Sequence, residues 1–484
     1  MDKLNTTYGH FIGGNWQAGR SGKTFFAAAP ATGEILAELA EGNREDARAA
    51  IASARAAFPV FSRSEIWDRS RLCHRIADEI VKNRDGLAMV LSNEQGKPLT
   101  TEAYGEIDAA ATGFREAGEL IKWMNGEVIP TETPGKRVIS YRQPRGIYAV
   151  VTPWNFPINI PVEYLAPAIA AGNCVVWAPA PTTSLCAVKL CEIMSNAGLP
   201  DGVVNMVMGP GAIVGDEFVS NKHVNGIGFT GSPQTGQKIA QRGAGKPMLL
   251  ELGGNGPVII LDDADLDKAA EAAAFGSFFN AGQVCAATGR ILVTKKTHDG
   301  VVERLEALAN KVVLGPSTLP NTTMGPLNNE DVLAKVQLHI ADASCRGADV
   351  VCGGANMPEL GSELYFEPTV VTNVSASSLL NTAETFGPVA PVILCDDEDH
   401  MLEVANAAEH GLAASVFTEN LKAAHRFGDA LQTGIVNINA ASCYWELHIP
   451  FGGASGKNSG IGRLGGSNTL REMTDVKTVI FDLN

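Results

Sequence analysis

GIYAVVTPWNFPINIPVEYLAPAIAAGNCVVW, residues 146–177, decides the fold. Two short apolar runs, IYAVV (147–151) and CVVW (174–177), flank a segment of helical character. Runs that are hydrophobic on both faces are what strands buried inside a parallel sheet require. The same kind of run returns at VVNMVM (203–208) and VNGIGF (224–229), again with helical segments between. A repeated strand–helix rhythm implies a parallel sheet covered by helices.

Outward from this stretch, a second α/β series follows Glu251. It runs through PVIIL (257–261), a helix over Leu266 to Phe279, ILV (291–293) and PVAPVIL (388–394). Upstream, the first part of the chain reads as helical: Ala47, Ile51, Ala54 and Phe58 recur at helical spacing, as do Leu72, Ile76 and Ile80. Residues 123–143, WMNGEVIPTETPGKRVISYRQ, place turn residues between short β-branched runs and predict a hairpin or bridging strands. The tail TDVKTVIFDL (474–483) is a lone β-rich segment, with a home if it pairs with that ribbon, within the chain or across subunits. The fold class is therefore α/β, with two α/β domains and a small β appendage.

A chain of 484 residues exceeds one compact core, which agrees with more than one domain. With 45% apolar and 19% charged residues it has the composition of a soluble globular protein. The net charge of −15 opposes a nucleic-acid or anionic-membrane partner, and says nothing of a small substrate. Nine cysteines include no CxxC pair and no Cys/His cluster at ligand spacing, so neither a metal site nor a disulfide framework is expected. The start MDKLNTTYGHFIGG has no apolar core, and no apolar stretch reaches membrane-spanning length. A cytoplasmic location is the expectation.

Cys285 lies in FNAGQVCAATGR (279–290), read as a helix ending in Gly-Gln-Val-Cys with Gly282 clearing space beside the sulfur. A cysteine thiolate is accessible near neutral pH and strongly nucleophilic; on the cysteine alone, an inert core thiol is the commoner reading. Upstream, LLELGGNGP (249–257) sets Glu251 after a strand and before Gly253-Gly254. An acid at a strand's carboxyl end stands where ligands bind in α/β proteins and can deprotonate a water or a thiol. The plainer alternative is a solvated loop acid.

In VNGIGFTGSPQTGQKIA (224–240), a strand through Phe229 feeds Thr230, Gly231 and Ser232, with Ser232 as helix N-cap. Such a junction suits a pyrophosphate. GPGAIVG (209–215), with Gly211 and Gly215, is a weaker glycine pattern without dinucleotide-fingerprint spacing. TPWNFPIN (152–159) brackets Asn155 with prolines at a strand end, from which a side-chain amide can donate to an oxyanion. ETFGPV (384–389) holds an acid and an aromatic beside Gly-Pro, and a carboxylate can accept both hydroxyls of a ribose. Taken singly, each of these motifs also reads as a plain turn.

In order, PWNFP, FTGS, LELGG, GQxC, ETFGP and HIPFGGASGKNSGIGR (448–463) resemble the NAD(P)-dependent aldehyde dehydrogenase superfamily, of the hydrolytic type, over nearly the whole chain. The resemblance implies two Rossmann-like, doubly wound domains and an oligomerisation ribbon. Residues 1–122 and 144–251 would bind the cofactor, 252–454 would carry catalysis, and 123–143 with 465–484 would join subunits of a homodimer or homotetramer. It implies Cys285 as the nucleophile, Asn155 and the Cys285 N–H as oxyanion donors, and Glu251 as the base that hydrolyses a thioester. Cofactor contacts would come from Thr152, Pro153, Trp154, Ala178, Pro181, Gly211, Gly215, Phe229, Thr230, Gly231, Ser232, Leu252, Glu384 and Phe386. A CoA-acylating enzyme, which typically lacks the glutamate base, and a non-catalytic relative are the alternatives.

The chain also departs from the family pattern. The usual Lys-Pro-x-Glu segment is Ala178-Pro179-Ala180-Pro181, without either charge; NAD is favoured over NADP. A lysine and a glutamate that often support the base are replaced by Tyr164 and Leu464, so Glu251 is expected to pass protons through water or Tyr164. The aldehyde tunnel is expected from Phe156, Ile160, Glu163, Tyr164, Phe279, Val284, Ala286, Cys443 and Trp445. Glu163 and Glu446 suit a polar or cationic aldehyde unless both point to solvent, while Tyr444 and Trp445 equally suit an aromatic one.

Overall fold

The computed structural model describes residues 7–484; residues 1–6 of the opening segment lie outside the described residues. The run at 146–177 forms the strand Ile147–Val151, the helix Asn159–Ala171 and the strand Cys174–Ala178. Both strands are almost wholly buried, as their continuous apolar character requires. They lie in an eight-stranded sheet whose parallel part runs Met248–Leu252, Gly226–Gly231, Ile147–Val151, Cys174–Ala178, Val204–Met206. Counted along the chain from Ile147, that order is 5-4-1-2-3, the doubly wound Rossmann-like arrangement. Its switch point, where the winding reverses, falls between Ile147–Val151 and Gly226–Gly231.

The second sheet has seven strands, in the order Asp349–Cys352, Thr369–Thr372, Val389–Cys395, Thr288–Thr294, Gly256–Ile260, Ala413–Phe417, Ile435–Ile438. All neighbours pair in parallel except Asp349–Cys352 at the edge. Each sheet has its own apolar core. Only Gly253, Gly254 and Asn255 separate the last parallel strand of the first sheet from the first strand of the second. The carboxyl end of Met248–Leu252 therefore abuts the amino end of Gly256–Ile260, and the site forms where the two sheets meet.

The opening does not begin as helix. Five strands lie between Thr7 and Ala40, and His10–Ile12 and Asn15–Gln17 extend the first sheet by antiparallel pairing. Helical periodicity then sets in as read: Arg44–Phe61 buries Ala47, Ile51 and Ala54, and a capping box of Asn43 and Asp46 fixes its start. Ile66–Lys82 buries Leu72, Ile76 and Ile80. The tail strand Thr474–Asp482 pairs along its whole length with Lys136–Pro144 of the same chain, and Glu127–Ile129 completes a three-stranded ribbon.

Candidate functional site

Strand ends at a switch point converge on a crevice. Here Ile147–Val151 delivers Thr152 to Asn155, Gly226–Gly231 delivers Ser232, and Met248–Leu252 delivers Glu251. Cys285 arrives from the other sheet, three residues before the strand Thr288–Thr294.

The segment before Cys285 corrects the sequence reading. The helix Leu266–Phe278 stops, and Asn280 (φ 49°), Ala281 (φ 53°) and Gly282 (φ 71°) take left-handed backbone in succession. The two non-glycine residues cost about 1–2 kcal/mol each, so neighbours must hold them. The Asn280 N–H donates to Glu102 Oε1 (3.1 Å), and Gln95 Nε2 donates to Asn280 Oδ1 (3.1 Å). Gln283 Nε2 donates back to the Asn280 carbonyl (2.9 Å), while its Oε1 accepts the Asn328 N–H (2.9 Å). Cys285 thus sits on a clamped turn rather than a helix end. At Gly254 a Cβ would lie 2.3 Å from the Cys285 carbonyl oxygen, so only glycine lets the Glu251 strand pass this close to the thiol.

Asn155 is buried, and its Nδ2 donates to the Gln283 carbonyl (3.0 Å). An amide has two such hydrogens, which leaves one for another acceptor. Its backbone carbonyl is fixed by Lys97 Nζ and by Asn280 Nδ2, both at 3.0 Å. Lys97 is a fully buried cation that pairs with Glu106 at 2.6 Å and lies 3.7 Å from the Phe156 ring centroid. Glu106 in turn caps the helix Asn159–Ala171 by accepting the N–H groups of Ile158 (2.9 Å) and Asn159 (3.0 Å). Removing one member of a buried pair costs about 3–5 kcal/mol. The sequence reading missed both residues, because their partners lie far away along the chain.

Glu251 is buried, and neither carboxyl oxygen has a hydrogen-bond partner among the described residues. Desolvation, then the nearby Glu163 carboxyl, push its pKa well above the carboxylate range, while Arg463 pulls the other way. The Cys285 thiol is also pushed well up, first by burial and then by Glu251, Glu384 and Glu163. Thr230 pairs in register with Glu251 on the adjacent strand. Tyr164 corrects the tunnel expectation. It is fully buried and absent from the cavity wall, because one helical step from Glu163 turns it toward the sheet. There its hydroxyl donates to the Phe229 carbonyl (3.0 Å) and, its one proton so engaged, accepts from Thr230 Oγ1 (2.8 Å).

Among the residues expected to hold the cofactor, Ser232 caps the helix Pro233–Arg242 as read, accepting the Thr235 N–H (3.3 Å). Thr152 accepts Trp177 Nε1 (2.9 Å), and Ala178 ends its strand with Pro181 opening the next turn. Leu252 packs under Gly236, and Gly215 lies against Val151, while Gly211 borders open space. Trp154 and Phe386, distant in sequence, meet edge to face with centroids 5.6 Å apart. Glu384 accepts the Gly254 N–H (3.0 Å); burial lifts its carboxyl to about 7, opposed by Lys335 and that hydrogen bond. Pro153 leads into the same turn.

A cavity of about 610 Å³ opens on Cys285 and Glu251. Phe156, Ile160, Glu163, Phe279, Val284, Ala286, Cys443 and Trp445 line it together, as do Thr230, Leu464, Tyr444 and Glu446. The structure adds one wall that the sequence reading did not supply: Glu102, Glu106 and Glu116, from the helical segment spanning Leu99–Leu120. Their spacing puts them on one helical face, the only signal that could have found them. Among the described residues no helix is long and apolar enough to cross a membrane.

Comparison with known proteins agrees with this geometry. The succinate-semialdehyde dehydrogenase [NADP(+)] of Escherichia coli (strain K12) is 38% identical over 474 residues, 98% of this chain and 97% of its own. The glutarate-semialdehyde dehydrogenase of Pseudomonas aeruginosa is 38% identical over 96% of each chain. The crystal structure of an E. coli NADP-dependent enzyme superposes with a TM-score of 0.96 at 37% identity, covering 99% of this chain and 100% of that one. The family model described as the aldehyde dehydrogenase family matches residues 16–479. A thiol, a buried carboxyl and an anchored amide at a doubly wound switch point, on a chain matched this completely, make the protein a member of the aldehyde dehydrogenase family.

Proposed function

We propose that the enzyme oxidises an aldehyde to its carboxylic acid with NAD(P), through a thioester on Cys285 that Glu251-activated water hydrolyses. The observation that carries this reading is that Cys285 and Glu251 open on one buried cavity, while Asn155 is anchored to the turn that holds the thiol. Attack of the Cys285 sulfur on the carbonyl carbon makes a C–S bond and an oxyanion. The remaining Asn155 amide hydrogen and the Cys285 N–H stabilise that oxygen as charge develops.

The cofactor cleft fits a dinucleotide: Ser232 heads a helix at the switch point, Gly211 leaves open space, and Glu384 offers a buried carboxylate for ribose hydroxyls. When bound, NAD(P) accepts the hydride that turns the Cys285 adduct into a thioester. Glu251, in its ionised form, then takes a proton from water, which attacks the thioester, releases the acid and restores the thiolate. A glutamate in this cavity supports hydrolysis over transfer to CoA. Asn155→Ala is expected to lower kcat/KM about 10²–10³-fold, measured by steady-state NAD(P)H formation, with a loss of stability of about 1–3 kcal/mol from the buried bond to Gln283.

Protons leave Glu251 through water in the cavity, because neither carboxyl oxygen meets a hydroxyl and the Tyr164 proton is committed to the Phe229 carbonyl. Tyr164→Phe is therefore expected to leave the deacylation rate, read by stopped flow, unchanged; a rate about tenfold lower, the worth of one buried hydrogen bond, would put the tyrosine on the path. The ribbon leaves Val128, Val476 and Ile480 exposed, which supports association of this chain with further copies.

A further inference from the structure

The relatives are named for succinate and glutarate semialdehydes, whose far ends are carboxylates. The cavity of this chain is built for the opposite charge. Among the described residues six glutamates line it, Glu102, Glu106, Glu116, Glu163, Glu251 and Glu446, against no lysine or arginine, and His448 is the one basic side chain there. Lys97 is engaged by Glu106 behind the wall, and Glu251 is assigned to deacylation. Glu116 and Glu446 lie beside His448, and Glu446 also accepts the Tyr444 hydroxyl, which leaves Glu163 and Glu102. The Glu163 carboxyl meets only the Asn159 amide (2.8 Å), and burial, then Glu106, lift it to about 8. Glu102 is more than nine-tenths buried, and its Oε2 has no hydrogen-bond partner. Lys97 is the one cation that acts on Glu102, and it is already paired with Glu106; an unpartnered buried acceptor on a residue that lines a cavity points to a ligand that brings further positive charge.

The rest of the wall is aromatic. Phe279 stacks on Phe275 (5.1 Å) and lies 6.0 Å from Phe156, with Trp445 completing the enclosure. Aromatic faces beside carboxylates attract quaternary or primary ammonium groups. An incoming carboxylate would meet glutamates with no counter-charge.

We propose that the physiological aldehyde carries a positively charged nitrogen at its far end, held by Glu163 and Glu102 among these aromatic rings, and that ω-carboxyl aldehydes are rejected. The inference rests on the reaction proposed above. Its test compares kcat/KM for a trimethylammonio-alkanal, its uncharged tert-butyl isostere and glutarate semialdehyde, all with the same methylene spacing. The cationic aldehyde is expected to exceed the neutral one about tenfold, and the anionic one about a hundredfold. Glu163→Gln and, separately, Glu102→Gln reduce the cation's advantage over its isostere about tenfold, read as the ratio of the two kcat/KM values within each variant, so that any change at Glu251 or at the clamped turn cancels. Glutarate semialdehyde as the best substrate, equal rates for cation and isostere, or Gln variants that discriminate as well as the parent would each overturn the inference while leaving the reaction intact. Absence of turnover with all three would instead overturn the reaction reading, and this inference with it.

Discussion

Cys285→Ser is expected to lower kcat by four or more orders of magnitude, about what loss of a covalent nucleophile costs. A serine hydroxyl is nearly isosteric, yet it is far less acidic and a poorer nucleophile in the same buried setting. The clamp around Cys285 is built from Asn280, Gln283, Gln95 and Glu102, none of which contacts the sulfur through a hydrogen bond. The variant should therefore melt like the parent and still bind NAD(P), which separates loss of chemistry from loss of fold. Residual turnover within tenfold of the parent would remove Cys285 from the central role.

Glu251→Gln is expected to give one equivalent of NAD(P)H rapidly and then turn over about 10²–10⁴-fold more slowly, because the acyl group forms but water is no longer activated. The same substitution removes a charge that holds the Cys285 thiol up, so alkylation of Cys285 shifts to lower pH. The pH profile carries a second sign. A carboxyl whose pKa is raised is protonated, and useless as a base, below that pKa. In the parent, deacylation therefore accelerates as pH rises through the Glu251 ionisation, and in the variant this dependence disappears. A parent rate that falls with rising pH across that step would contradict the assignment.

The ordered motifs carried much of this site in advance, since strand-end positions such as Asn155, Ser232 and Glu251 follow from alternating strands and helices. The missing parts are those fixed by distant partners. FNAG reads as a continuation of its helix, yet Glu102 and Gln95 hold it in left-handed backbone. Lys97 and Glu106 look like surface charges until folding buries them against each other and under Asn155. Tyr164 shares a helix with Glu163, but only the sheet beneath shows which of the two faces the cavity. The opening strands were hidden because a short strand such as His10–Ile12 joins its sheet by pairing with Val204–Met206, nearly two hundred residues on. Local propensity cannot report such a pairing.

The most direct measurement is intact-mass and peptide analysis of Glu251→Gln after mixing with aldehyde and NAD(P) in the absence of CoA. The account predicts one acyl group per chain, located on the peptide containing Cys285, removed by hydroxylamine and absent from the Cys285→Ser, Glu251→Gln double variant. An unmodified Cys285 peptide during rapid NAD(P)H formation, or an acyl group carried elsewhere, would contradict it.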